Sequence, residues 1–389
     1  MLAWPGALPC LIGVAALGGL ARLLAPHRTS LMFSPAAWGY FLPELTVSYF
    51  DNGFTRRALI GTITNLLGIE PSVFAVKAVY ALGVILAAAA LFVWAWRATR
   101  ELAARERLLL FVLLALSPAT LVHWIEDPGR PDALVEAFAI AAAFACMRGR
   151  HMLALAPALA AGLIHEAYFL LFGPLFLALL YERWRAAGMN ADEIKRAAIL
   201  LGGLGLAFLY FLLFGHADYA SLERSAARID VPLNASGANP YYSYLDLKSD
   251  PMGWTMCFFR EEPAFLINTA LAFAFLFVQS WALIGWAGRA RVAISLLPAL
   301  GVAALGLIAL DTGRYAAMAA IAIWLYSFQL LRIEKPASIF RLAPFAALLA
   351  FTALGPLAIS HGFTSVRVIS EALGAKPFAP IAMLCDGLP

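Results

Sequence analysis

"MLALAPALAAGLIHEAYFLLFGPLFLALLYE" occupies residues 152–182. The run is almost wholly apolar, interrupted near its middle by His165 and Glu166. Both flanks are basic: "RGRH" (148–151) precedes it and "RWRAAGMNADEIKR" (183–196) follows it. A perpendicular helix needs only about 20 residues to cross a bilayer. A single crossing would also leave one basic flank outside, whereas short cytoplasmic loops are the ones that carry Lys and Arg. Two short passes, or a re-entrant pair, that turn at the His-Glu step keep both flanks on one side. The stretch therefore reads as two spans, 152–164 and 167–182, of a polytopic helical membrane protein.

The rest of the chain agrees. Of 389 residues, 62% are hydrophobic and 13% charged, against about 45–50% and 25% in soluble domains. The sequence predicts an all-α transmembrane bundle, one integral membrane domain over 1–389. Its eleven spans fall at about 7–24, 73–96, 108–124, 133–147, 152–164, 167–182, 197–215, 263–286, 293–310, 316–331 and 342–360. The first could be read as a signal peptide, but it lacks a basic leader and a cleavage site, so it is kept as a span. "GALPC" (6–10) lacks the apolar stretch of a lipoprotein box.

Five loops carry the basic residues: 97–107 (four Arg), 148–151, 183–196, 288–291 and 332–335. They alternate correctly if all are cytoplasmic, which puts the amino terminus inside and the carboxy terminus outside. The longer loops, about 25–72 and 216–262, are then outer loops. A net charge of +4, spread thinly, carries no nucleic-acid signal. Among Cys10, Cys146, Cys257 and Cys385 there is no metal spacing, and Cys257 and Cys385 can pair if both face an oxidising compartment.

This topology gathers the polar clusters on one face. "SYFDNGFTRRALIG" (48–61) supplies Asp51, Arg56 and Arg57, and "WIEDPGRPDALVE" (124–136) supplies Glu126, Asp127, Arg130, Asp132 and Glu136. His165 and Glu166 sit at an outer turn, and "ALDTGRYAA" (309–317) brings Asp311 and Arg314. Each has an ordinary reading: a solvated loop pair, a helix cap at Asp132, an interfacial turn, an i,i+3 pair. "HEAYF" is no zinc-protease motif, because the second His is missing. Tyr241 and Tyr242 read as an interfacial belt or as stacking surfaces for sugars. "NAS" (234–236) fits a glycosylation sequon.

Four such clusters on one face point to a shared cavity, because ionisable groups at membrane depth usually mark a site or pathway. Arg56, Arg57, Arg130 and Arg314 would hold phosphate in bidentate fashion. Apolar spans would hold a lipid tail, and a carboxylate would act as general base. The layout resembles the GT-C class of membrane glycosyltransferases, in overall plan and in an acidic residue of a long first outer loop. That resemblance implies a polyprenyl-phosphate sugar donor, action outside a bacterial-type inner membrane, and a catalytic role for Asp51 of "YFDNGF". Many members carry two neighbouring acids, whereas here Asn52 follows Asp51 and the nearest other acid is Glu44, so Asp132 and Glu166, with His165 assisting, remain candidates for the base. Several members use a divalent cation, but no ligand set is visible here. The plan is also similar to Wzy- and EpsG-type polysaccharide polymerases. A transporter or flippase of a lipid-linked or anionic substrate is the alternative of another class; clear internal repeats and mid-membrane charges, which would favour it, are not seen. An assembly subunit without chemistry is a third reading.

Overall fold

A computed structural model gives the fold. It describes residues 41–126, 130–229, 263–307 and 312–354, with isolated positions elsewhere. The expected span at 7–24 therefore lies outside the described continuous segments.

Every described element is helical. Three short helices come first: α1 (Pro43–Thr46), α2 (Tyr49–Asn52) and α3 (Leu59–Leu66). The bundle follows with α4 (Val73–Ala98), α5 (Ala104–Leu116), α6 (Leu121–Glu126), α7 (Asp132–Met147), α8 (His151–Ile164) and α9 (Ala167–Ala187). Then come α10 (Ala191–Phe214), α11 (Tyr219–Ala227), α12 (Pro263–Ile284), α13 (Arg289–Ser295), α14 (Leu297–Gly306), α15 (Thr312–Glu334) and α16 (Leu342–Leu354).

Among the described residues, six stretches are long and apolar enough to cross a membrane: Val73–Ala98, Ala104–Trp124, Ala191–Phe214, Leu266–Ala287, Arg289–Gly306 and Thr312–Glu334. They mark the chain as an integral membrane protein. His151–Ile164 and Leu342–Thr352 are shorter apolar helices. Leu206 and Leu213 on α10 and Ile85 on α4 are largely exposed. Such faces would be a liability in water, and in a bilayer they contact lipid.

Local sequence sets the boundaries. Ser72 caps α4 by accepting from the Ala75 N–H, and Asn190 with Glu193 forms a capping box at α10. The backbone is extended at Ser117, just before Pro118, so α5 ends there. His165 is likewise extended and separates α8 from α9. The Arg183 side chain, near the end of α9, donates to the Met147 carbonyl at 3.4 Å, just before α8 begins. The chain thus leaves along α8 and returns along α9 to the end it left.

Other contacts define the two ends of the bundle. Glu182 on α9 meets Arg291 on α13, and Arg291 also meets Glu334 at the end of α15. Glu106 of α5 accepts from Ser338 and from the Ile339 N–H. The basic loops therefore gather at this end. At the other end, the Arg56 N–H donates to the Gly215 carbonyl at 3.0 Å. Asn52 exchanges hydrogen bonds with Ser225, and Val47 and Ala58 pack with Ala217, Leu222 and Ala226. The loop before α4 and the loop after α10 are one packed unit. Within the first of these loops, Gly61 permits α3 to lie against the α1–α2 segment, since a Cβ there would lie 2.0 Å from the Val47 carbonyl oxygen.

α15 forms the centre. Its residues from Thr312 to Leu331 are buried apart from Gly313, and it packs against α4, α7, α9, α12 and α14. Trp324, Tyr326 and Phe328 are among the largest fully buried side chains.

Candidate functional site

The site lies where α7, α9 and α15 begin. Asp132 opens α7 and is buried with Arg314, which stands in the first turn of α15. The guanidinium donates through Nε and Nη2 to the two carboxylate oxygens. Parallel bonds of this kind are the strongest ion-pair geometry available to Arg. His123 Nε2 approaches the same carboxylate at 3.5 Å. One turn further along α7, Glu136 is fully buried, and its Oε2 accepts from the Trp124 indole at 2.6 Å.

A second pair stands beside the first. Arg57 donates to Glu166 through Nε at 3.0 Å and Nη2 at 2.6 Å. Burial opposes charge on both groups, but the partnership prevails: Arg57 is held above its usual range and Glu166 well below. Arg57 has φ +60°, a left-handed conformation unfavourable for a side chain with Cβ, so the backbone is strained to deliver this guanidinium. Arg56 adds a further positive influence on Glu166.

His165 Nδ1 accepts from the Ala167 N–H at 3.2 Å, while its buried Nε2 has no hydrogen-bond partner. Burial first, then Arg57, keeps this imidazole neutral, well below its ordinary titration point. Its ring meets Tyr315 edge-to-face at 6.5 Å.

Glu44 of α1 completes the group. It lines a narrow recess with Phe41, Tyr80, Arg130 and Pro131. The Arg130 guanidinium sits 5.6 Å from the Phe41 ring centroid. Burial raises the Glu44 pKa to about 7, against the opposing pull of Arg57, Arg314 and Arg130. These cross-influences show that the segments around residues 44, 57, 130–132, 165–166 and 314 share one electrostatic environment.

The candidate residues thus divide. Arg57, Arg130, Asp132, His165, Glu166 and Arg314 come together, with Arg56 at the edge. Asp51 has a separate set of partners: Ser48 at 2.8 Å, Asn65 at 3.2 Å and Arg228 at 3.4 Å. Its side chain is 43% exposed. The Glu126 side chain, Asp127, Asp311, Tyr241 and Tyr242 lie outside the described residues. Cys257 is half of a disulfide whose other half also lies outside them, and Cys146 is free. Sequence reasoning missed His123 and Trp124, whose one signal was adjacency to "IEDPGRPD", and gave Glu44 no role. Among the described residues, no three His, Cys, Asp or Glu side chains are grouped to hold a metal.

A separate buried cluster occupies the opposite end. Glu182 is fully buried, binds Arg291 at 3.1 and 3.0 Å, and accepts from Tyr326 Oη at 2.9 Å. Arg185 bridges Glu182 and Glu334 at 3.4 and 2.8 Å. About 16 residues of helix separate Glu166 from Glu182, a distance of roughly 24 Å at 1.5 Å per residue.

Comparison of the chain with family models, curated proteins and solved structures gives no match.

Proposed function

We propose that this protein is a membrane glycosyltransferase of GT-C-like plan. It crosses the bilayer about eleven times and moves a sugar from a polyprenyl-phosphate donor to a glycan or lipid acceptor on the extracytoplasmic face of a bacterial-type inner membrane. The observation that carries this reading is the convergence of Glu44, Arg57, Asp132, Glu166 and Arg314 from five separate segments at one end of the bundle. The apolar helices of the bundle are of bilayer length, which suits a polyprenyl tail. The basic loops gather at the other end, which supports a cytoplasmic placement for it. The disulfide at Cys257 supports an oxidising environment for the 216–262 loop.

In this reading the guanidinium groups stabilise charge building up on the departing phosphate. Arg56, Arg57 and Arg130 are partly exposed, whereas Arg314 is buried; Arg57 is paired with Glu166 and Arg314 with Asp132. A polysaccharide polymerase using the same lipid-linked chemistry is the neighbouring alternative.

Reconstituted protein should be supplied with a panel of radiolabelled polyprenyl-phosphate sugars on the outer side of vesicles, together with lipid and glycan acceptors. Transfer to product is expected, with release of polyprenyl phosphate. Movement of intact donor between leaflets, with no product formed from any donor, would replace this reading with a flippase.

A further inference from the structure

Resting on that reading, we infer that Glu44 is the group that takes the proton from the acceptor hydroxyl. Four carboxyl side chains belong to the cluster, and three are occupied. Asp132 is held by Arg314, Glu166 by Arg57, and Glu136 by the Trp124 indole. Among the described residues, Glu44 is under charge influences from Arg57, Arg130, Arg314 and Asp132 but has no side-chain hydrogen bond or ion pair. It is half-buried and is the acid among the residues that line the recess, together with Leu45, Ile60, Val76 and Arg130.

A general base has to be reachable, unengaged and close in proton affinity to the working pH. Asp132 and Glu136 are buried, and Glu166 carries a bidentate partner. Asp51 is reachable, but Ser48, Asn65 and Arg228 already approach it. Glu44 meets all three conditions. Arg57, Arg130 and Arg314 face it with positive charge and Asp132 with negative charge, and burial leaves it titrating near 7. The Tyr80 hydroxyl in the same recess is turned to the Trp124 carbonyl at 2.5 Å, so it does not compete for the proton.

The step balances without a further reagent. The acceptor oxygen attacks the anomeric carbon, a C–O glycosidic bond forms, and the anomeric carbon–phosphate oxygen bond breaks. That bonding pair leaves on polyprenyl phosphate, and the hydroxyl proton passes to the Glu44 carboxylate. Arg130 lines the same recess and would add positive charge near the leaving phosphate.

The test has two arms, both on the full-length protein. In the first, dicyclohexylcarbodiimide, which adds to protonated carboxyl groups in apolar surroundings, is applied between pH 5 and pH 9 and the adduct is mapped by mass spectrometry. Modification of Glu44 is expected, falling with a midpoint near pH 7, and absent in Glu44→Gln. An unlabelled Glu44 across that range would overturn the inference. In the second arm, donor turnover is followed against pH. Wild type should show a rate rising through about pH 7, Glu44→Gln should lose about 10²–10⁴-fold in kcat with donor affinity kept, and Glu44→Asp should recover part of the rate together with the rising limb. Full turnover by Glu44→Gln, with wild type active, overturns the Glu44 role alone. A wild type that turns over no donor overturns the glycosyltransferase reading itself, whatever the carbodiimide arm returns.

Discussion

Arg314 and Asp132 are 182 positions apart in sequence and meet in the interior through two parallel charged hydrogen bonds. The pair ties the first turn of α15 to the first residue of α7. Both side chains are at most 4% exposed. Removing either partner strands a buried charge, which costs about 3–5 kcal/mol. Arg314→Ala and Asp132→Ala should therefore each lower the melting temperature in detergent strongly, while the apolar double variant Asp132→Leu/Arg314→Met recovers much of the loss. A single variant that melts with wild type would show that this pair does not hold the two helices.

Glu44 should make stability pH-dependent with an unusual sign for a carboxyl group. Its pKa rises from an ordinary 4.5 to about 7 on folding. The folded state therefore binds more protons than the unfolded one between those values, and this contribution to stability declines as pH rises through that window. Glu44→Gln should match wild type near pH 4.5 and exceed it in melting temperature at pH 8. Equal melting curves at pH 8 would rule out the raised proton affinity.

Arg57 and Glu166 should be the less costly pair to break. Their side chains are 20% and 23% exposed, so water compensates part of the loss. Arg57→Ala should cost less than the about 3–5 kcal/mol of a fully buried pair, and Arg57→Lys should not restore the bidentate contact. Because Arg57 has φ +60°, Arg57→Gly relieves backbone strain and should be at least as stable as Arg57→Ala, opposite to the usual glycine penalty. Denaturation of the three variants side by side checks the order.

At the opposite end, Tyr326→Phe removes one donor to Glu182 and should cost about 1 kcal/mol. Glu182→Ala leaves Arg291 with Glu334 alone and should cost about 3–5 kcal/mol. A double-mutant cycle on the two should reveal coupling, since Tyr326 donates directly to Glu182 Oε1.

Apolar runs and their polar interruptions were the legible part of the sequence. The 152–182 stretch breaks at His165 because two polar side chains there interrupt an otherwise oily run. The convergence of residues 57, 132, 166 and 314 was approachable because charges in short loops at one end of a bundle have few places to go. Pair identities were not readable. Nothing in sequence tells Asp132 to choose Arg314 over the nearer Arg130, since helix packing decides it. Glu44 was passed over because its special condition is an absence of partners inside a recess, which spacing does not encode. Among the described residues, six helices meet the length and apolarity of a crossing; of the eleven runs read from sequence, 7–24 lies outside the described continuous segments, and those at 152–164 and 342–360 form shorter helices.

α15 carries Arg314 in its first turn and Glu334 as its last residue, with buried side chains along nearly all of its 23-residue length. That is a rod of about 35 Å, anchored by ion pairs at both tips. Such a rod cannot slip part of a turn without unseating both anchors and every ring between them. One helix thereby fixes the register of one end of the bundle against the other.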